Sequence, residues 1–201
     1  MSLKRRDFLR LGGAAVAAAA GLGAVPRPAR AAMLQSAMPV PPSAEPSSDP
    51  GAEPKRIAFA NLHTGEELDV TFFRDRTYVP TAMNSIENLL RDFRNDERHP
   101  IDPRLMDYLH AVALRFGADP RFEVISGYRS PQTNAMLRAT TRGVALHSFH
   151  MKGRAIDIRL PQVDCARLAE AALALRRGGV GYYRASNFVH LDTGAFRTWH
   201  G

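Results

Sequence analysis

Two short apolar runs, Ile57-Ala58-Phe59-Ala60-Asn61-Leu62 and Leu68-Asp69-Val70-Thr71-Phe72-Phe73, flank His63-Thr64-Gly65-Glu66-Glu67 and predict a β-hairpin. The period then changes. Ile86, Leu89, Leu90 and Phe93 recur at helical spacing and predict a helix over Thr81 to Arg94. Pro103 can open a second helix at its first turn, with Leu105, Leu109, Val112, Ala113 and Phe116 on one face and Gly117 as the stop. Phe122 to Ile125 reads as a short strand, and Ser130-Pro131 starts a third helix that runs to Ala139.

From Arg154 to Leu160 the chain alternates. Ile156, Ile158 and Leu160 point one way; Ala155, Asp157 and Arg159 point the other. Asp164 caps a fourth, Ala- and Leu-rich helix ending at Gly178-Gly179. Val180 to Tyr183 and Phe188 to Asp192 are two further strands, joined by a turn at Arg184-Ala185-Ser186. The pattern predicts an α+β fold with helices packed on a small, mostly antiparallel sheet. Residues 56–201 suit one domain with one core.

The first 55 residues belong to something else. Lys4-Arg5-Arg6 precedes an Ala- and Gly-rich apolar run from Leu11 to Val25, and Ala29-Arg30-Ala31 offers an A-x-A cleavage site. These are the parts of a secretory signal over 1–31, too short and Gly-rich for a stable membrane span. The paired arginines resemble a twin-arginine signal. Six prolines between Pro39 and Pro54 make residues 32–55 an extended linker.

Charge reads differently once the signal is set aside. The chain has 27 basic and 20 acidic residues, and 1–31 hold six of the basic and one of the acidic, leaving 21 against 19. That balance gives no support for nucleic-acid binding. The lone Cys165 excludes an intrachain disulfide and reads as a buried core residue.

The chemistry lies near the C-terminus. Ser148-Phe149-His150-Met151-Lys152-Gly153-Arg154-Ala155-Ile156-Asp157 and Phe188-Val189-His190-Leu191-Asp192 offer two imidazoles and a carboxylate, the ligand set of a zinc site that keeps one position open. His150 and Asp157 are local to one another; folding must bring His190 back. His190 and Asp192 leave one face of their strand while Val189 and Leu191 face the core. Should the three candidates meet, the protein is a hydrolase.

Ser148-x-His150-x-x-Gly153-x-Ala155-x-Asp157 with Val189-His190-Leu191-Asp192 resembles the zinc peptidases of peptidoglycan metabolism, peptidase family M15. That family includes D-alanyl-D-alanine carboxypeptidases and shares a core with the Hedgehog signalling domain. Ser126-Gly127-Tyr128-Arg129-Ser130-Pro131 is similar to its arginine-bearing loop. Gly179-Val180-Gly181-Tyr182-Tyr183 and Arg197-Thr198-Trp199 are similar to its twin-arginine-exported, murein endopeptidase branch. The resemblance covers Asn84 to Trp199.

It implies His150, Asp157 and His190 as ligands of Zn²⁺, a metal-activated water as nucleophile, and Arg129 as the group that binds a substrate carboxylate or the polarised carbonyl. In many members an acidic general base stands three residues before the last ligand. Here that position is Asn187, which cannot accept a proton. His147 and Asp192 are the available replacements; Asp192 can alternatively orient an imidazole. Ser148 receives no catalytic role. Tyr128, Tyr182, Tyr183 and Trp199 read as packing residues, and His63, His99, His110 and His200 as surface or core histidines.

The expectation is an exported, periplasmic, monomeric zinc peptidase that cuts peptidoglycan cross-links. The alternatives are a D,D- or L,D-carboxypeptidase trimming stem peptides, and a catalytically silent wall-binding module.

Overall fold

The computed structural model describes residues 53–117, 120–141 and 143–201. The signal expected over 1–31 and nearly all of the linker therefore lie outside the described residues. The hairpin forms from β1 (Lys55–Asn61) and β2 (Glu67–Arg74). Asp75 and Arg76, both at positive φ, turn the chain into β3 (Thr77–Tyr78), as a two-residue hairpin connection requires. Next come α1 (Pro80–Leu89), α2 (Pro103–Ala113), β4 (Arg121–Ser126) and α3 (Pro131–Thr140). A 3₁₀ turn over Phe149–Lys152 leads into β5 (Ala155–Arg159), α4 (Cys165–Leu175), β6 (Gly179–Tyr183), β7 (Phe188–Asp192) and β8 (Arg197–His200).

All the strands join one eight-stranded sheet in the order β3-β2-β1-β4-β5-β7-β6-β8. The β1–β4 and β6–β8 pairs are parallel and the rest antiparallel. The fold is α+β with a mostly antiparallel sheet, as expected, and the sheet has eight strands. The hairpin docks on β4 rather than standing apart, and β3 and β8, of two and four residues, are too short for alternation to mark.

One hydrophobic cluster joins the helices to the sheet. Ile86, Leu105, Leu109 and Leu168 pack with Phe59, Phe122, Ile156, Ile158, Val189 and Leu191, all fully buried. Each such side chain contributes roughly 1.5–3 kcal/mol. Cys165 is buried in the same cluster.

Three helices end earlier than periodicity predicts, and α2 stops at Ala113, before the Phe116 and Gly117 expected to close it. The amide of Arg94 bonds to the side chain of Asp92 at 3.2 Å, and the Leu90 carbonyl accepts from Tyr128 N at 2.7 Å instead of from a further turn of α1. Asp92, 1% exposed, also accepts from the amide and hydroxyl of Ser130. Helix α1 thus gives up its last turn to hold the loop that carries Arg129. Helix α4 stops at Arg176, whose left-handed φ of 53° turns the chain; Gly178 and Gly179 already lead into β6.

Candidate active site

Strand register builds the site. Ser126 on β4 pairs with Asp157 on β5, Asp157 with His190 on β7, His190 with Gly181 on β6, and Gly181 with Trp199 on β8. One transverse row therefore crosses five strands on the face opposite the isoleucines. His150 reaches the row from the 3₁₀ turn. Ser148 caps that turn by accepting from His150 N at 3.3 Å. Gly153 ends it in the left-handed conformation, φ 60°, so that β5 can begin two residues later.

His150, Asp157 and His190 meet. His150 Nε2 lies 3.2 Å from Asp157 Oδ1 and 3.2 Å from His190 Nδ1, and His190 Nδ1 lies 2.8 Å from Asp157 Oδ1. The outer nitrogens fix the tautomers. His150 Nδ1 donates to the Gly127 carbonyl at 2.7 Å, and His190 Nε2 donates to Asp192 Oδ2 at 3.1 Å. With neutral imidazoles, each inner nitrogen then presents a lone pair toward a carboxylate oxygen. Three lone-pair donors at this spacing repel unless a positive charge sits among them.

The three groups are also coupled electrostatically. Burial holds His150 below the ordinary imidazole value. Burial also opposes charge on Asp157, yet the neighbouring His150 and His190 outweigh it and hold that carboxyl well below the usual range. In His190, burial is outweighed by hydrogen bonds to Asp157 and Asp192, and its value rises. The donor spacing suits a tetrahedral zinc ion, whose bonds of about 2.0–2.1 Å set its ligands about 3.3–3.4 Å apart.

Every member of the trio has an outer partner. Arg129 Nη2 donates to Asp157 Oδ2 at 2.6 Å, and its Nε donates to Ser126 Oγ at 2.9 Å. Asp192 is fully buried and accepts from Arg197 Nη1 and Nη2, from Gly179 N and Gly194 N, and from His190. Burial would raise its carboxyl, but these bonds, His190 and Arg197 foremost, hold it far below its ordinary value. A carboxylate held this way orients the imidazole in front of it.

Strand β6 makes room for these contacts with two glycines. Gly179 pairs with both Asp192 and Arg197, and a Cβ on it would stand 2.5 Å from Asp192 Oδ2 and 2.6 Å from Arg197 Nη1. A Cβ on Gly181 would stand 2.5 Å from the Trp199 ring. Each glycine opens a lane through which β8 reaches across to β7: Arg197 to Asp192, and Trp199 to within 5.2 Å of the His190 ring. Arg197→Ala should therefore weaken affinity for a divalent metal by about 10–100-fold while leaving the fold intact, because its side chain is 42% exposed. Competition with a chromogenic chelator measures this, and unchanged affinity would remove Arg197 from the site.

The trio forms the floor of an open cleft of about 400 Å³. Arg129, His147, Phe149, Tyr183, Arg197 and Trp199 line its walls. Trp199 was expected only to pack; here it also walls the cleft, its Nε1 donating to the Tyr183 hydroxyl at 3.0 Å. His147 is exposed on the cleft wall. Asn187 does not reach the cleft. It occupies the β6–β7 turn with φ 52° and lines a separate depression beside Glu123, Arg159 and Cys165. Arg197, Gly179 and Gly181 went unassigned from sequence. The paired spacings G-x-G and R-x-W were their only signal, and their meaning depends on strand register.

Lone-pair donors that need a cation between them, facing solvent across a cleft, define a candidate single-metal hydrolase. Comparison with known proteins narrows the class. The family described as peptidoglycan L,D-endopeptidase MepK matches residues 49–199. A probable peptidoglycan L,D-endopeptidase of Haemophilus influenzae is 42% identical over 150 residues, 74% of this chain and 81% of its own. The peptidoglycan L,D-endopeptidase of Escherichia coli K12 is 40% identical over 195 residues, 97% of this chain and 96% of its own. The chain belongs to this peptidoglycan endopeptidase family of M15-type peptidases, and it is an enzyme.

Proposed function

We propose that the protein is a zinc-dependent endopeptidase that hydrolyses L,D-type amide bonds in peptidoglycan cross-links, with His150, Asp157 and His190 as the zinc ligands. The observation that carries the reading is the convergence of those three donors within 3.2 Å, each fixed from behind by a hydrogen bond. The L,D specificity follows that of the relatives, both L,D-endopeptidases by name. Residues 1–31, read as an export signal, and 32–55, read as a linker, support a periplasmic enzyme within reach of the wall. No helix among the described residues is long and apolar enough to cross a membrane.

Bound zinc supplies a water acidic enough to ionise near neutral pH and a Lewis acid for the scissile carbonyl. The chain's own residues do the rest. Gly127 and Asp192 hold the two imidazoles in the ligating tautomers. Arg129 anchors Asp157 through Nη2 and lines the cleft, where a guanidinium can meet a substrate carbonyl or carboxylate in a planar fork. Phe149, Tyr183 and Trp199 give the cleft an apolar wall for the peptide stem.

Defined muropeptides test the reading. L,D-cross-linked dimers should fall to monomers, D,D-cross-linked dimers should persist, and a chelator should stop the reaction. Loss of one terminal residue from monomers, with dimers intact, would mean a carboxypeptidase instead.

A further inference from the structure

We propose that His147 is the proton-transfer residue of this enzyme. It takes a proton from the attacking water as the water oxygen bonds to the carbonyl carbon. It then returns that proton to the amine nitrogen as the C–N bond breaks. This rests on the metallopeptidase reading above.

The geometry points to His147 by what surrounds the cleft. Hydrolysis needs a group that can accept a proton near neutral pH, open to the cleft and not already engaged. The inner atoms of His150, Asp157 and His190 face one another, and their outer atoms are engaged with Gly127, Arg129 and Asp192. Asp192 stands behind His190, fully buried and accepting five hydrogen bonds, with no path to the cleft. Asn187, at the position where the family places its acid, lines another surface. The Tyr183 hydroxyl oxygen already accepts from Trp199.

His147 differs from all of these. Its side chain is exposed on the cleft wall and makes no hydrogen bond, ion pair or ring contact with any described residue. It is nevertheless held in place. Ser148, the next residue, caps the turn that carries His150, and the buried Asn134 donates to the Ala145 carbonyl at 3.1 Å from the other side. An imidazole tethered at both flanks and free at its ring suits a group that must alternately accept and donate.

The test uses the zinc-loaded enzyme and an L,D-cross-linked dimer. His147→Ala and His147→Gln should keep one zinc per chain and a KM close to wild type, while kcat falls by about 10²–10⁴-fold. His147→Glu, which restores a proton acceptor on the same wall, should recover at least about tenfold over the glutamine variant. A kcat for the alanine variant within about fivefold of wild type would overturn the proposal. So would a loss of kcat accompanied by loss of zinc, or equal losses in all three variants. Failure of the underlying reading looks different: the wild-type enzyme itself would bind no zinc or cut dimers in the presence of chelator.

Discussion

Replacing His150 with alanine should strip the enzyme of zinc and lower kcat by at least about a thousandfold. Water is a poor nucleophile at neutral pH until a metal brings its pKa from roughly 16 to about 7. Both nitrogens of this imidazole are committed, and the residue is 2% exposed, so no other group can swing in to replace it. Its removal also leaves the Gly127 carbonyl without its donor, a loss of about 1–3 kcal/mol for a buried polar group. Elemental analysis beside a dimer digest separates the two effects. A variant that keeps full zinc but loses activity would move His150 from the metal to the substrate. Asp157→Ala should behave alike, with the added consequence that Arg129 loses the carboxylate it bonds at 2.6 Å.

Gly153→Ala should destabilise the domain strongly for a single added methyl. Its φ of 60° places it in the left-handed region, where an L-residue loses about 1–2 kcal/mol. A Cβ there would overlap the Pro100 carbonyl oxygen and lie 3.2 Å from His99 Cδ2. The obstacle is backbone, and the approach is fixed by the bond from Asp102 N to the Gly153 carbonyl at 2.9 Å. Overpacking of this kind adds about 1–3 kcal/mol. A combined loss near 3 kcal/mol should lower Tm by about 10 °C for a domain of this size. The shift also displaces the turn that carries His150, so zinc affinity should fall as well. Gly65→Ala is the control: its φ is 74° but nothing stands within 4 Å of the added methyl. It should lose only the conformational part, about 1 kcal/mol. Equal Tm values for the two variants would refute the steric argument.

The sequence carried the fold wherever one period ran uninterrupted. Strand β5 alternates, and Ile156 and Ile158 are buried in the core as the alternation predicts. Its other face was less legible. Asp157 is only 4% exposed, because that face is a cleft floor rather than open solvent. The end of α1 was hidden for a related reason. Phe93 continues the helical spacing, but the partners of Asp92 and Leu90 lie about forty residues away in sequence, on the Tyr128–Ser130 loop, and no local pattern reports them.

The site divides along the same line. His150, Asp157 and His190 could be chosen from motif spacing, and folding brings them together. Asp192 was legible too, as a partner able to orient an imidazole, but Arg197 behind it was not. Arg197 and Asp192 meet only because Gly179 stands between them in the sheet, so their pairing is a property of register across β7, β6 and β8. Asn187 gave the opposite difficulty. Its spacing from His190 marked it as a base position, yet three residues from His190 the chain has already left the strand for the β6–β7 turn, away from the cleft.

His150, Asp157 and His190 should together hold one metal ion. Diffraction data collected at the zinc absorption edge from crystals of the zinc-loaded protein test it directly. One strong anomalous peak should appear about 2.0–2.2 Å from His150 Nε2, His190 Nδ1 and a carboxylate oxygen of Asp157. A peak that lacks any of the three, or a zinc ion held elsewhere on the domain, would contradict it.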